Sequence, residues 1–461
     1  MKKESKPAKA TPTTVTLDVI NFNAAGIDVG SKFHMVAVGQ DKDKDVVKFG
    51  VTTPDLHEMA KFLSSRNIEA VAMESTGYYW IPLYWMLVSY DFKVIVVNPR
   101  DIKRINGPKT DVKDAQWIQK LHTAGFLKAS FQLNNFGEGV RAYNRRRNSL
   151  VRDRTRLVNR MHKSLILMNV QIGTQLSELS STSGLAVIRA IVGGETDPNK
   201  LLLLINKQVK TPKAELLKAL HGTWQPHYIF ELKQLYASFQ SCNEQIHQCD
   251  EYIEKDLEMY CIANNITPPD ASLKPQNKAE SKIANDKDST SLQVVRTIQS
   301  INGLDLLSIG GVGAGFILNL FAELGVDFDQ FPTAKHFASW LGLAPQVKIT
   351  GGKVISSSIP KRNNPVSQAF RSAANSIGNT KEHSLKPFFL SILKKSGRKG
   401  AIVATAHKLA IIYYHMMKDK TSFNYEKSAE QIKQQRIALV KKVQKIIVEL
   451  DINPQEINFT V

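Results

Sequence analysis

Between residues 24 and 97 short apolar runs alternate with amphipathic stretches. Ala24–Val29 and residues 34–38 and 46–51 are apolar segments of strand length, and polar residues 40–44 separate the last two. Residues 55–64 place Leu56, Met59, Ala60, Phe62 and Leu63 at helical spacing. Residues 68–73 and 93–97 read as further strands, and the aromatic stretch 78–90 as a helix packed on their sheet. Strands alternating with helices after an opening hairpin predict an α/β domain with a mostly parallel sheet, residues 21–132, behind a disordered leader, residues 1–20. Farther on, Val140, Leu150, Val151, Leu157, Val158, Met161, Leu165 and Leu167 repeat at helical spacing, as do Leu216, Leu217, Leu220, Ile229, Leu232, Leu235, Ile246 and Ile253. The two stretches predict an antiparallel coiled coil over residues 133–262. Polar residues 263–292, with Pro268-Pro269 and Lys274-Pro275, read as a flexible insertion. Apolar helical segments then predict a mostly α C-terminal domain, residues 293–420. A helical tail, residues 421–461, carries Leu439, Val440, Val443, Ile446, Ile447 and Leu450 on one face.

Charge changes this picture from a fold to a partner. The 461 residues hold 61 Lys and Arg against 42 Asp and Glu, a formal net charge of +19. Such an excess predicts a polyanion, with nucleic acid ahead of an anionic membrane surface. No apolar run approaches the ~20 residues that span a bilayer, and the basic start, residues 1–6, lacks the apolar core of a signal peptide. Cys242, Cys249 and Cys261 are too few and too unevenly placed for a disulfide framework, which predicts a reducing cytoplasm, where a nucleic-acid partner would place the protein at the nucleoid. The basic residues concentrate in two places. Arg145, Arg146, Arg147, Arg152 and Arg156 sit in a stretch with little compensating acid. Lys353, Lys361, Arg362 and Arg371 open a segment, running to Lys408, whose one acidic residue is Glu382. Both are expected to meet phosphates.

The candidate chemistry lies in the first domain. Asp28 and Glu74 end two buried strands, and Asp111 and Asp114, three apart, open a helix. Each alone reads as a cap or turn residue. In a parallel α/β sheet, however, strand ends and helix starts converge on one edge. Four carboxylates there repel one another and call for cations. Oxygen-only donors suit Mg²⁺ or Mn²⁺, and a two-metal site serves in-line attack at a phosphodiester. In the C-terminal domain, the glycine-punctuated stretch 300–313 before an apolar helix resembles a helix-hairpin-helix, which contacts DNA backbone. A plain turn between two helices is the alternative.

Gly26-Ile27-Asp28-Val29-Gly30, Met73-Glu74-Ser75-Thr76-Gly77, Asn98-Pro99 and Lys109-Thr110-Asp111-Val112-Lys113-Asp114-Ala115, in that order, resemble the motifs of the DEDD-type transposases. These are insertion-sequence recombinases related to the Piv DNA invertase. The resemblance implies an RNase H-like first domain similar to the RuvC junction resolvase, and Mg²⁺ held by Asp28, Glu74, Asp111 and Asp114. It extends from about residue 300 to 417 and implies a serine nucleophile after Leu-Gly-Leu-x-Pro that becomes covalently joined to DNA. The corresponding position here is Thr350, a departure that keeps the hydroxyl and stiffens χ1. Ser356, Ser357 and Ser358 are the alternatives. The resemblance also implies a structured bridge RNA as guide and assembly into a homodimer or homotetramer. Three rival readings are weighed. A metal-dependent junction-resolving nuclease would use water in place of Thr350. A sugar-kinase or actin-like ATPase would need a second phosphate motif that the later half lacks. A non-catalytic nucleic-acid-binding protein would leave the carboxylates unexplained.

Overall fold

Ala24–Val29 forms the central strand, β1, of a five-stranded mixed sheet. The computed structural model describes residues 18–38, 46–102, 110–133, 135–286, 290–360 and 364–423, with isolated positions beyond 436. The chain divides into two units, one ending at Gln132 and one starting at Leu133. Most of the expected leader, the loop 39–45 and nearly all of the tail lie outside the described residues.

In the first unit β1 is followed by β2 (His34–Ala37), β3 (Val46–Phe49), α1 (Thr53–Ser65), β4 (Ala70–Glu74), α2 (Trp80–Val88), β5 (Lys93–Val97), α3 (Pro99–Ile102) and α4 (Asp111–Thr123). The strand order is β3-β2-β1-β4-β5. β1–β2 and β2–β3 pair antiparallel, while β1–β4 and β4–β5 pair parallel, an arrangement consistent with the RNase H-like expectation. Alternation sorts the strands by face. Ile27, Val29, Val71 and Met73 pack with Met59, Leu63, Leu83 and Leu87 of α1 and α2. Ala72 and Val97 pack on the other face with Ile118 of α4. At its start α1 is held by a reciprocal box: the Thr52 amide and hydroxyl both donate to Asp55, which pulls that carboxyl below the usual aspartate range. Asn21 and Ile20 donate their amides to the Thr123 carbonyl and anchor the entering chain to the end of α4.

The second unit begins with α5 (Asn135–Leu167) and continues through four short helices, α6 (Ile172–Gln175), α7 (Thr182–Val192), α8 (Pro198–Leu203) and α9 (Lys213–Ala219), to α10 (Pro226–Ala263). α5 and α10 lie antiparallel. Phe136 stacks on Tyr260, Tyr143 stacks on Tyr252, and the Cys242 thiol meets the Leu150 carbonyl. The second long helix starts later than its apolar pattern suggests. Leu216 and Leu220 belong to a core in which Val187, Ile188, Ile191 and Leu201 of the short helices pack with Met161 and Leu165 of α5 and Leu232 and Phe239 of α10, and Pro226 sets the first turn of α10.

Then come α11 (Lys278–Asn285), α12 (Leu292–Asn302), a 3₁₀ turn (Leu306–Ile309), α13 (Ala314–Leu324), α14 (Ala334–Trp340), β6 (Lys348–Thr350), β7 (Lys353–Ser356), α15 (Pro365–Asn379) and α16 (Lys386–Asp419). The expected flexible insertion is instead folded against α12. Arg296 is buried and donates to the Leu273 and Lys274 carbonyls at 2.8 and 2.9 Å and to Glu280 at 2.7 Å, and Ile283 is buried beside it. One internal arginine satisfies a polar segment that has little apolar surface of its own to bury. Gly397 adopts φ +67°, which breaks α16 into two helices.

Candidate active site

Asp28 and Glu74 occupy equivalent places on neighbouring strands. The parallel register pairs Gly26 with Ala72 and Ile27 with Met73, and Asp28 and Glu74 are the residues that follow this last pair. Both sit on the face opposite Ile27 and Met73, which is the face α4 covers. Glu74 accepts a hydrogen bond from the Thr76 hydroxyl at 2.9 Å, and the Ser75 amide donates to the Val97 carbonyl at 3.1 Å. The Glu74 backbone is thereby tied to β5 at the point where its side chain leaves the sheet.

Gly26 sets how close α4 can come. A Cβ there would stand 2.2 Å from the Gln119 amide nitrogen and 2.6 Å from the Ala115 carbonyl oxygen, so helix and strand touch backbone to backbone. The Gln119 side chain also reaches the Ala24 carbonyl at 3.5 Å. Going up β1 from Ala24 to Gly26 therefore corresponds to going back along α4 from Gln119 towards Ala115. Two strand residues and four helix residues advance by nearly the same length, about 6–7 Å. Beyond Gly26 the strand runs toward the end of α4 that carries its first turn.

That turn carries Asp111 and Asp114. Thr110 caps it in an extended conformation, its hydroxyl accepting from the Lys113 amide at 3.4 Å. Asp111 is exposed and Asp114 half-buried, three apart on one side of the helix, while Ala115 and Ile118 face the sheet. A helix start favours negative charge, which offsets part of the cost of gathering carboxylates there. Farther along, burial of His122 lowers its pKa and favours the neutral ring. As donors the four carboxylates offer oxygen alone, the set that suits a hard divalent cation. Among the described residues, no three Asp, Glu, His or Cys side chains lie close enough together to hold an ion.

In the second unit Thr350 is the last residue of β6 and pairs with Lys353 across Gly351 and Gly352. Those glycines adopt φ +55° and +75°, the two positive values that a tight two-residue hairpin turn requires. Thr350 is exposed beside the turn. Ser356 and Ser358 bond to each other, hydroxyl to hydroxyl at 3.2 Å, and the Ser358 carbonyl accepts from the Gln346 amide. The hairpin turns apolar side chains outward, with Ile349 62% and Val354 61% exposed.

Two family models match the chain. One, described as a transposase of the DEDD IS110 type, covers residues 25–169. The other, the transposase IS116/IS110/IS902 family, covers residues 305–387. The chain belongs to the IS110-type DEDD transposases. The transposase is thus an enzyme acting on DNA. Comparison with curated protein sequences yields no significant match. The first model spans all four carboxylates and the second spans Thr350.

The basic residues of this transposase are less uniformly available than their sequence implies. Arg147 is buried and bonds through its Nε and a terminal nitrogen to Asp250 on α10, at 2.6 and 3.2 Å. Arg145 grips Glu323 of α13 with two 2.8 Å bonds, joined there by the buried Arg141. The expectation that the whole cluster faces phosphate is corrected for Arg147, which is buried against Asp250; Arg145 stays exposed while paired with Glu323. Arg146 donates to Gln245, and Arg156 forms an exposed bridge with Asp153. Arg152 and Lys353 are exposed. Arg371 is half-buried, and its Nε has no hydrogen-bond partner. Lys361 and Arg362 lie outside the described residues. The helix-hairpin-helix-like stretch is α12, the 3₁₀ turn and α13, with Gly310 and Gly311 at φ +72° and +66°. Among the described residues, no helix is long and apolar enough to cross a membrane.

Sequence reasoning missed Tyr78 and Tyr79. It placed them in a packed helix, whereas α2 starts after them and both are exposed.

Proposed function

We propose that this transposase cuts and rejoins DNA strands for insertion-sequence mobility at a divalent-metal centre held by Asp28, Glu74, Asp111 and Asp114. The observation carrying this reading is that Asp28 and Glu74 each follow the last paired residues of two adjacent parallel strands, on the face that α4 covers. Asp28, Glu74, Asp111 and Asp114 would hold Mg²⁺ or Mn²⁺, which when bound would withdraw charge from the phosphoryl oxygens and acidify a nearby hydroxyl. By holding such an ion, the carboxylates would set where the scissile phosphate lies relative to the sheet edge. The Thr350 hydroxyl attacks phosphorus and loses its proton. A threonine–phosphate ester forms as the bond to the leaving strand breaks, and that strand departs with a protonated hydroxyl. Attack by another strand's hydroxyl then releases Thr350 and completes exchange.

Several features support the surroundings of this reaction. The exposed Arg152 and Lys353, and the turn at Gly310 and the exposed Gly311, are suited to backbone phosphates. The net charge of +19 suits two nucleic acids, the DNA and a guide RNA, and a place at the nucleoid in the cytoplasm. The α5–α10 pair, as a coiled coil, is suited to self-association into a dimer or tetramer.

The test is to incubate the protein with labelled DNA and Mg²⁺, trap covalent species and locate the modified residue by mass spectrometry. An adduct on Thr350 is expected. If Thr350→Ala still cleaves and no adduct forms, water is the nucleophile and the enzyme is a metal-dependent nuclease. An adduct on Ser356, Ser357 or Ser358 moves the nucleophile along the hairpin.

A further inference from the structure

Two aromatic rings stand in solvent beside the candidate carboxylates. Tyr78 is 85% exposed and Tyr79 51% exposed, whereas Leu83 and Leu87 of the helix that follows are fully buried. The turn that presents them is short. Thr76 bonds to the Glu74 carboxylate, Gly77 reverses the chain at φ +56°, and the Tyr79 ring lies 3.5 Å from where a Gly77 Cβ would stand. The rings therefore continue the surface that starts at Glu74.

Opposite them, the same sheet edge carries cations. β2 begins and β3 ends there, because His34 pairs with Phe49. In the turn after β1, Lys32 is exposed, and the Lys48 ammonium sits 4.0 Å over the Phe33 ring. Carboxylates flanked by solvent-facing aromatic rings on one side and by lysines on the other match the chemistry of a single nucleic-acid strand. Its bases stack on π-faces and its phosphates seek positive charge. A base inside a duplex exposes no face, so such a platform serves a strand opened at the cutting point.

We propose that Tyr78, with Tyr79 beside it, stacks an unpaired base of the DNA strand held at Asp28 and Glu74. This rests on the carboxylate site proposed above. Lys32 and Lys48 meet the flanking phosphates.

The test uses the full-length protein and a single-stranded deoxyoligonucleotide carrying one 5-iodouracil, irradiated and mapped by mass spectrometry. The same oligonucleotide is titrated by fluorescence anisotropy. Adducts on Tyr78 or Tyr79 are expected. Tyr78→Ala should weaken binding about 5- to 150-fold, the range of one lost base stack, and Tyr78→Phe should restore it. An unchanged melting temperature in both variants shows that folding is not the cause. Adducts found only elsewhere, or unaltered binding by Tyr78→Ala, overturn the proposal. Preferential cross-linking of the matching ribo-oligonucleotide overturns the assignment to DNA. Both readouts work without cleavage and can be repeated in Asp111→Asn, so failure of the platform and failure of the carboxylate reaction give separate signals.

Discussion

The candidate carboxylates and the candidate nucleophile are held in opposite ways. Asp28 and Glu74 leave adjacent strands inside a five-stranded sheet, under a helix that touches β1 backbone to backbone at Gly26. Thr350 sits at the end of a two-stranded hairpin, beside a two-glycine turn, with apolar side chains turned to solvent. A two-stranded ladder is marginal alone, whereas a covered sheet is not. The difference teaches how a strand-exchange enzyme can divide its labour. Groups that act through mutual spacing belong on the rigid core, and a group that must reach a phosphate and leave it again belongs on a light, projecting element.

That contrast can be broken first at the carboxylates. Glu74→Gln or Asp111→Asn should lower strand cleavage by about 10²–10³-fold or more, read on plasmid DNA with Mg²⁺, while the melting temperature holds. Cleavage at the wild-type rate would remove the rigid half of the comparison. Next, Gly26→Ala pushes a methyl group into the α4 backbone. It should cost roughly 1–3 kcal/mol in urea unfolding and reduce cleavage together with stability. Gly351→Val strains the hairpin turn by about 1–2 kcal/mol. It should reduce covalent adduct formation with little change in global unfolding, because few core contacts depend on the hairpin. A loss of global stability as large as that of Gly26→Ala would show that the hairpin is part of the core. The smallest effect is a pH dependence at α1. Thr52 holds the Asp55 carboxyl below its ordinary value of about 4. The stability this box contributes is full above that pH and is lost as pH falls through the lower folded value. Thr52→Ala should therefore destabilise the protein at pH 7, and its difference from wild type should shrink in acid, measured by denaturant titration at each pH.

The sheet and the helix start were legible because each depends on local pattern. Five apolar runs formed β1 to β5, and Thr110 before two aspartates marked the cap of α4. What could not be read depends on partners distant along the chain. Nothing near Arg145 or Arg147 announces Glu323 or Asp250. Nothing around residues 263–286 announces that Arg296 will take two of their carbonyls and Glu280. The short helices α6 to α9 were lost because elements of four to eleven residues carry too few turns for a periodic signal, and their leucines, which share a core with α5 and α10, were absorbed into the longer pattern that follows. Tyr78 and Tyr79 failed for a different reason. An aromatic run looks the same in sequence whether it is buried or left in water.

Gly26 has one more consequence. Where strand and helix meet with only a hydrogen atom between them, there is no side chain to trim or enlarge, so the gap cannot be shimmed by substitution. The joint behaves as a fixed gauge, intolerant of any addition at that one point.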